Sequence, residues 1–200
     1  MKKITVIILA VGLVFACGCT GYRELNRGYI VSAVGFKKQE GKTLVFAEAL
    51  SPTETAENTK ETEILSGEGE TVLSAYRNLI KNSDKETYFE QCAAVAVETS
   101  FDTDEIYGIL EVCKNIPSLN VGAYIIKTDD VKSLFEVDGT TGYDVVGLIK
   151  YKSKSENIKF SNQIYKAERD VLKNGATKLP QVNARDGKYI LYTNESGKIK

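Results

Sequence analysis

Cys92-Ala93-Ala94-Val95-Ala96-Val97 (CAAVAV, residues 92–97) decides the fold. It is apolar at every position, so it lacks the alternation of a strand with one wet face. With Tyr88 and Phe89 ahead of it and Glu98 behind, Lys85 to Glu98 reads as a central strand covered on each side.

Upstream, a helix is expected from about Glu70 to Asn82, where Val72, Leu73, Tyr76, Leu79 and Ile80 recur on one face. Gly67 and Gly69 bracket Glu68 before it. No Gly-Lys-Ser/Thr follows, so they are not a phosphate loop. Thr62 to Ser66 reads as a short strand, and the polar stretch Ser51 to Lys60, with Pro52 at its head, as a surface loop. Before that, Tyr29–Phe36 and Thr43–Leu50 form a hairpin with a longer loop through Gln39–Lys42.

Downstream, Asp102 is placed to cap a helix, with Glu105 three residues on as in a capping box. Ile106, Ile109, Leu110 and Cys113 line its apolar face, and Pro117 closes it. Leu119 to Lys127 is the next strand. Asp129 is expected to cap a short helix bearing Val131, Leu134 and Phe135. Tyr143–Tyr151 is a further helix candidate, and Lys150–Glu156 a solvated link. Ile158–Leu172 is the last helix, with Ile164, Val171 and Leu172 inward and Gly175 as its stop. Leu179–Asn183 and Tyr189–Thr193 read as strands, and Glu195–Lys200 as a turn with half a strand after it. Three consecutive strands, then helices between strands, predict an α/β (α+β) fold: one mixed β-sheet with helices packed on it.

The 200 residues include 42% hydrophobic side chains, enough for a core. There are 26 basic and 27 acidic residues; without Lys2 and Lys3 the balance is 24 against 27, near −3. A nucleic-acid partner needs a basic face, and this balance argues against one. The chain has no histidine. That removes Ser-His-Asp and Cys-His catalysis, most zinc sites and the usual proton carrier near neutral pH, so no enzymatic activity is expected.

The first residues carry a different message. Lys2 and Lys3 precede the uncharged run Ile4–Ala16 (ITVIILAVGLVFA), and Ala16-Cys17-Gly18-Cys19 follows. A positive start, a short apolar segment and small residues before a cut describe a secretory signal. The run is short for a permanent span, which needs about 20 residues. A cysteine directly after the apolar segment marks a lipoprotein signal, in which diacylglycerol is attached to the thiol and cleavage frees the amine. Cys17 and Cys19 both follow small residues, and on this reading either could serve. Of the other two cysteines, Cys92 opens an apolar strand and Cys113 lies on an apolar helix face. Export favours a disulfide, but these positions suit two free, buried thiols better.

The acidic clusters have plain explanations. Asp102, Asp104 and Glu105, like Asp129 and Asp130, suit helix starts better than a metal or acid–base site. Lys150, Lys152, Lys154 and Lys159 could meet anionic head groups, but a solvated link between helices is the preferred reading.

Three stretches resemble the Ger(x)C lipoproteins, the C subunits of bacterial spore germinant receptors. The first is Cys19-Thr-Gly-Tyr-Arg23-Glu24-Leu25-Asn26 followed by Ile30–Phe36. The second is Gly69–Val72 through Arg77-Asn78-Leu79, then Lys85 and Tyr88-Phe89. The third is Asn120-Val121 through Ile126, then Leu134. The family's Gly-His after Tyr-Phe is Glu90-Gln91 here, and Lys37 follows Phe36 where the family has Asp. The family spacing from cysteine to Arg-Glu-Leu favours Cys19 over Cys17. The resemblance implies a signal peptide at 1–18, a family N-terminal domain at 19–178, and a truncated start of a second domain at 179–200. It implies a lipid-anchored, non-enzymatic accessory subunit on the extracytoplasmic face of the spore inner membrane. Its partners there would be two integral membrane subunits, A and B, one of them permease-like. Diacylglycerol on Cys19 is the only attached group expected, with no cofactor and no metal. Arg23, Glu24 and Leu25 have two readings of equal weight: docking the linker onto the domain, or meeting a membrane partner. The rival function is a free-standing extracytoplasmic lipoprotein that captures a small ligand.

Overall fold

The computed structural model describes residues 28–51, 62–116, 118–157, 159–160 and 162–192. The strands are β1 (Tyr29–Gln39), β2 (Lys42–Leu50), β3 (Thr62–Gly69), β4 (Thr87–Tyr88), β5 (Ala94–Glu98), β6 (Tyr124–Thr128), β7 (Gln181–Arg185) and β8 (Lys188–Tyr192). The helices are α1 (Val72–Asn82), α2 (Thr103–Asn115), α3 (Val131–Phe135), α4 (Thr141–Ser155) and α5 (Ile164–Asn174). One mixed eight-stranded sheet runs β3-β2-β1-β5-β6-β7-β8, with β4 paired to β1. β1, β5, β6 and β7 are parallel neighbours; β2, β3 and β8 are antiparallel additions at the flanks. This is the mixed sheet with packed helices that the sequence predicts.

The second part of the all-apolar run occupies the centre. The stretch read as one strand from Lys85 to Glu98 is split into β4 (Thr87–Tyr88) and β5 (Ala94–Glu98), and a turn at Glu90-Gln91 leaves Cys92 and Ala93 ahead of β5 rather than in it. Every residue of β5 is buried between β1 and β6. Its faces divide by size. Val95 and Val97 meet the core under α1, α2 and α5, while Ala94 and Ala96 meet the core under α3 and α4. The small side chains let α4 lie close. Gly35 of β1 extends this small surface: a methyl there would stand 2.3 Å from Val131 Cγ1.

β1 carries a bulge. Val31 pairs with Ala49 and Ala33 with Glu48, leaving Ser32 as the extra residue. The bulge turns Ala33 to the α4 side, while Val31 and Val34 face the opposite core.

Several details differ from expectation. The β1–β2 hairpin turns through only two residues, Glu40 (φ 51°) and Gly41 (φ 79°), as tight hairpins do. In α1 the buried side is Ala75 and Leu79, whereas Leu73 and Ile80 are 40% and 37% exposed. The cause is β3: a Cβ on Gly67 would stand 2.3 Å from the Leu79 nitrogen and 2.4 Å from the Ala75 carbonyl. A Cβ on Gly69 would likewise stand 2.4 Å from the Ala75 nitrogen, so the helix backbone rests on Gly67 and Gly69, and the side that carries Ala75 and Leu79 is the buried one. β6 begins at Tyr124, because Asn120 Oδ1 accepts from the Gly122 N–H and bends the chain first. Lys150, Lys152 and Lys154 belong to the end of α4, not to a link. Leu172 is 65% exposed, and Ala167 takes the inward place beside Ile164. Gly175 ends α5 in the left-handed conformation (φ 67°), where the sequence reading puts the stop. Within the 179–200 stretch expected to open a second domain, β7 joins β6 at Gln181–Lys127 and β8 forms the sheet edge. The readings for Ser51–Lys60 past its first residue, for Pro117 and for Glu195–Lys200 lie outside the described residues.

Two helical glycines touch nothing. A Cβ on Gly108 of α2 or Gly147 of α4 would have no neighbour within 4 Å. Gly108→Ala and Gly147→Ala are each expected to stabilise the fold by about 0.5–1 kcal/mol, since alanine has less chain entropy to lose in a helix. Urea midpoints that fall or stay put in both variants would show that α2 and α4 are not helical there.

Candidate functional site

Parallel strands gather their C-terminal ends at one edge, the place where open α/β sheets hold ligands. Here β1 ends in Lys37-Lys38, β5 in Glu98, and β6 leads into Asp129-Asp130. Lys37 Nζ lies 3.2 Å from Glu98 Oε1 and 3.3 Å from Asp130 Oδ1. The Val131 N–H donates to the buried Glu98 carboxyl at 3.3 Å. Asp130, not Asp129, caps α3: its Oδ1 accepts from the Lys132 N–H at 3.1 Å and its Oδ2 from the Ser133 hydroxyl at 2.6 Å. Burial opposes the charge on Lys37, but Glu98 and then Asp130 outweigh it and raise its pKa. Burial also opposes ionisation of Asp130, but the Ser133 and Lys132 hydrogen bonds and the Lys37 charge lower its pKa on balance. Asp129 is held from the side by Thr99, Gln181 and Asn183, and the Asn183 side chain accepts from the Asp129 N–H at 2.9 Å.

The acids at this edge are thus tied to helix caps and ion pairs. Asp102 and Glu105 behave the same way: each accepts from the other's backbone N–H at 2.9 Å, a reciprocal capping box. Among the described residues no group of three or more His, Cys, Asp or Glu side chains could hold a metal ion.

A second polar cluster lies under α4. Its N-cap residue, Thr140, makes no side-chain cap bond. Glu48 of β2 supplies the acceptors from across the core. Its Oε1 takes the Thr141 N–H at 2.9 Å and its Oε2 the Gly142 N–H at 3.4 Å, while the bulge residue Ser32 donates its hydroxyl to Oε2. Glu48 is 1% exposed and Ser32 0%. The carboxyl oxygens meet the N–H groups at the positive end of a helix in a dry site, where such bonds are strongest. Gly142 sits against the bulge; a methyl there would stand 2.0 Å from the Ser32 carbonyl oxygen. Tyr189 of β8 donates to Thr141 Oγ1 at 3.1 Å, and burial pushes its pKa up to about 12. Sequence reading passed over this cluster. Its signal was Glu48 itself, an acid on the same strand face as Leu44 and Phe46.

Cys92 and Cys113 are free and buried. Burial pushes the Cys92 thiol up to about 12 and raises Cys113 as well, so both are inert at neutral pH. A groove of about 410 Å³ runs between α1 and β4, with Tyr76, Ile80 and Phe89 on its walls. Cys19, Arg23, Glu24 and Leu25, the residues singled out from the sequence, lie outside the described residues, as does Cys17. Lys150, Lys152 and Lys154 stand on the last turns of α4, and Lys159 follows. Among the described residues no helix is long and apolar enough to cross a membrane.

No curated protein and no solved structure matches the chain. A family description, the spore germination protein N-terminal domain, matches residues 21–184. That span starts just past Cys19, runs from β1 into β7, and includes both polar clusters except Tyr189. The chain therefore belongs to the spore germination protein N-terminal domain family and has a role in germination.

Proposed function

We propose that the chain is a lipid-anchored, non-enzymatic accessory subunit of a spore nutrient germinant receptor, held on the extracytoplasmic face of the membrane by diacylglycerol on Cys19. The observation that carries this reading is the junction of two features. The apolar run Ile4–Ala16, followed by Cys19, stands directly before the stretch that matches the family, which begins at residue 21. Two acyl chains give stable attachment where one is marginal. The absence of histidine from the sequence and the use of the sheet-edge acids in caps and ion pairs support a role in contact and assembly. The partners are the integral membrane A and B subunits, and the membrane is the spore inner membrane.

Cys19→Ala is expected to move the protein from the membrane fraction to the soluble fraction, measured by fractionation and immunoblot. Retention in the membrane fraction would overturn the anchor. Co-purification decides the assembly role: the wild-type chain should come down with both membrane subunits, and recovery with neither would favour a free-standing ligand-binding lipoprotein.

A further inference from the structure

The charge of the chain is unevenly placed. Residues 150–166 hold five lysines and one acid, Glu156, in a protein whose net charge is −1. The fold gives this stretch a definite position. Lys150 Nζ lies 5.6 Å over the ring of Tyr124, the first residue of β6. Beyond α4 the chain stays there: the Asn162 carbonyl accepts from the Ile125 N–H at 2.8 Å, and the Ile164 N–H donates to the Ala123 carbonyl at 3.0 Å. The basic segment thus lies at the N-terminal end of β6, one of the parallel strands.

The chain enters the sheet from that same end. Gly28 leads straight into β1, whose Ala33 is level with Ala94 of β5 and Tyr124 of β6. Eight residues lie between Cys19 and Gly28, so an anchor at Cys19 holds this end within about 30 Å of the bilayer at full extension. Two aromatic side chains accompany the lysines: Tyr151 is 69% and Tyr165 46% exposed. Exposed tyrosine beside lysine is the composition that settles at a membrane–water interface. Lys152 is paired with Glu156 at 2.8 Å; Lys150, Lys154 and Lys159 are exposed.

We infer that the end of α4 and the segment after it, with Lys150, Tyr151, Lys154, Lys159 and Tyr165, form a surface that lies against anionic lipid head groups. Its orientation rests on the Cys19 anchor, but its attraction for lipid does not. The lipid tether fixes distance, and the basic surface fixes which side of the domain faces the bilayer.

The test uses the mature chain from residue 19 with Cys19→Ser, which carries no lipid, so its failure leaves the anchor to its own experiment. Sedimentation with phosphatidylglycerol vesicles at low salt should pellet the protein. Phosphatidylcholine vesicles should not, and high salt should release it. The triple variant K150Q/K154Q/K159Q should bind about 100-fold more weakly. The variant K42Q/K132Q/K188Q removes the same charge from the opposite end of the sheet and should bind like the parent. Equal binding to both lipids, no salt effect, or equal losses in the two triple variants would overturn the proposal. Should the first triple variant fail to fold, the lipid and salt comparisons on the parent chain still decide.

Discussion

Glu48→Ala is expected to destabilise the fold by about 3 kcal/mol or more. The carboxyl of Glu48 accepts two backbone N–H groups at the start of α4 and the Ser32 hydroxyl, all in a site closed to water. Alanine removes every acceptor at once. Each donor left buried without a partner costs roughly 1–3 kcal/mol, and Thr140 has no cap bond with which to compensate. Domains of this size are stable by only about 5–15 kcal/mol, so the unfolded population should rise more than 100-fold. Glu48→Gln, which keeps one acceptor oxygen, should lose about half as much. Urea unfolding followed by circular dichroism measures both. A loss under about 1 kcal/mol for Glu48→Ala would mean that α4 does not draw its cap from β2.

Gly67→Ala should rank close behind, at about 2–4 kcal/mol. The added methyl would stand 2.3 Å from the Leu79 nitrogen, 2.4 Å from the Ala75 carbonyl oxygen and 2.7 Å from the Leu79 Cα. These are backbone atoms, so no side chain can rotate away. α1 must lift from β3, and Ala75 and Leu79, now 0% and 1% exposed, would lose their cover. The loss should appear as a lowered urea midpoint and faster amide exchange in α1. Unchanged exchange in that helix would show that it does not rest on the β3 backbone. The contrast with Gly108, where the same substitution meets nothing, controls for the effect of glycine removal on the unfolded chain.

These two positions also mark how far the sequence could be read. Ala94 to Val97 were legible as a central strand because they have no polar position, as suits a strand covered on both faces; the break between Tyr88 and Ala94 was not. The Asp102–Glu105 box was legible because capping is local, decided within four residues. The burial of α1 was not. Its apolar residues suggest a face that includes Leu73 and Ile80, and the side in contact is set by two glycines on another element. Glu48 was read only as one residue of a hairpin strand, although its parity with Leu44 and Phe46 puts it in the core. The donors it serves, at Thr141 and Gly142, lie 93 and 94 residues away, and no local pattern announces such a pairing. The end of α4 was read as a link because Lys-Ser-Lys-Ser carries little apolar signal; as helix it lies at the N-terminal end of β6. Cys19, read as the lipidation site, and Arg23, Glu24 and Leu25, read as linker or partner contacts, rest on sequence alone, since they lie outside the described residues.

The chain passes from Gly28 into β1, and β1 is an inner strand, hydrogen-bonded to β2 along one side and to β4 and β5 along the other. A pull on the N-terminal side therefore acts along the strand and across both ladders together. In that shear geometry many hydrogen bonds share the force and must fail at nearly the same moment, whereas an edge strand would unzip one bond at a time. Under the proposed attachment at Cys19, tension would thus enter the domain at the most resistant part of its sheet rather than peel an edge open.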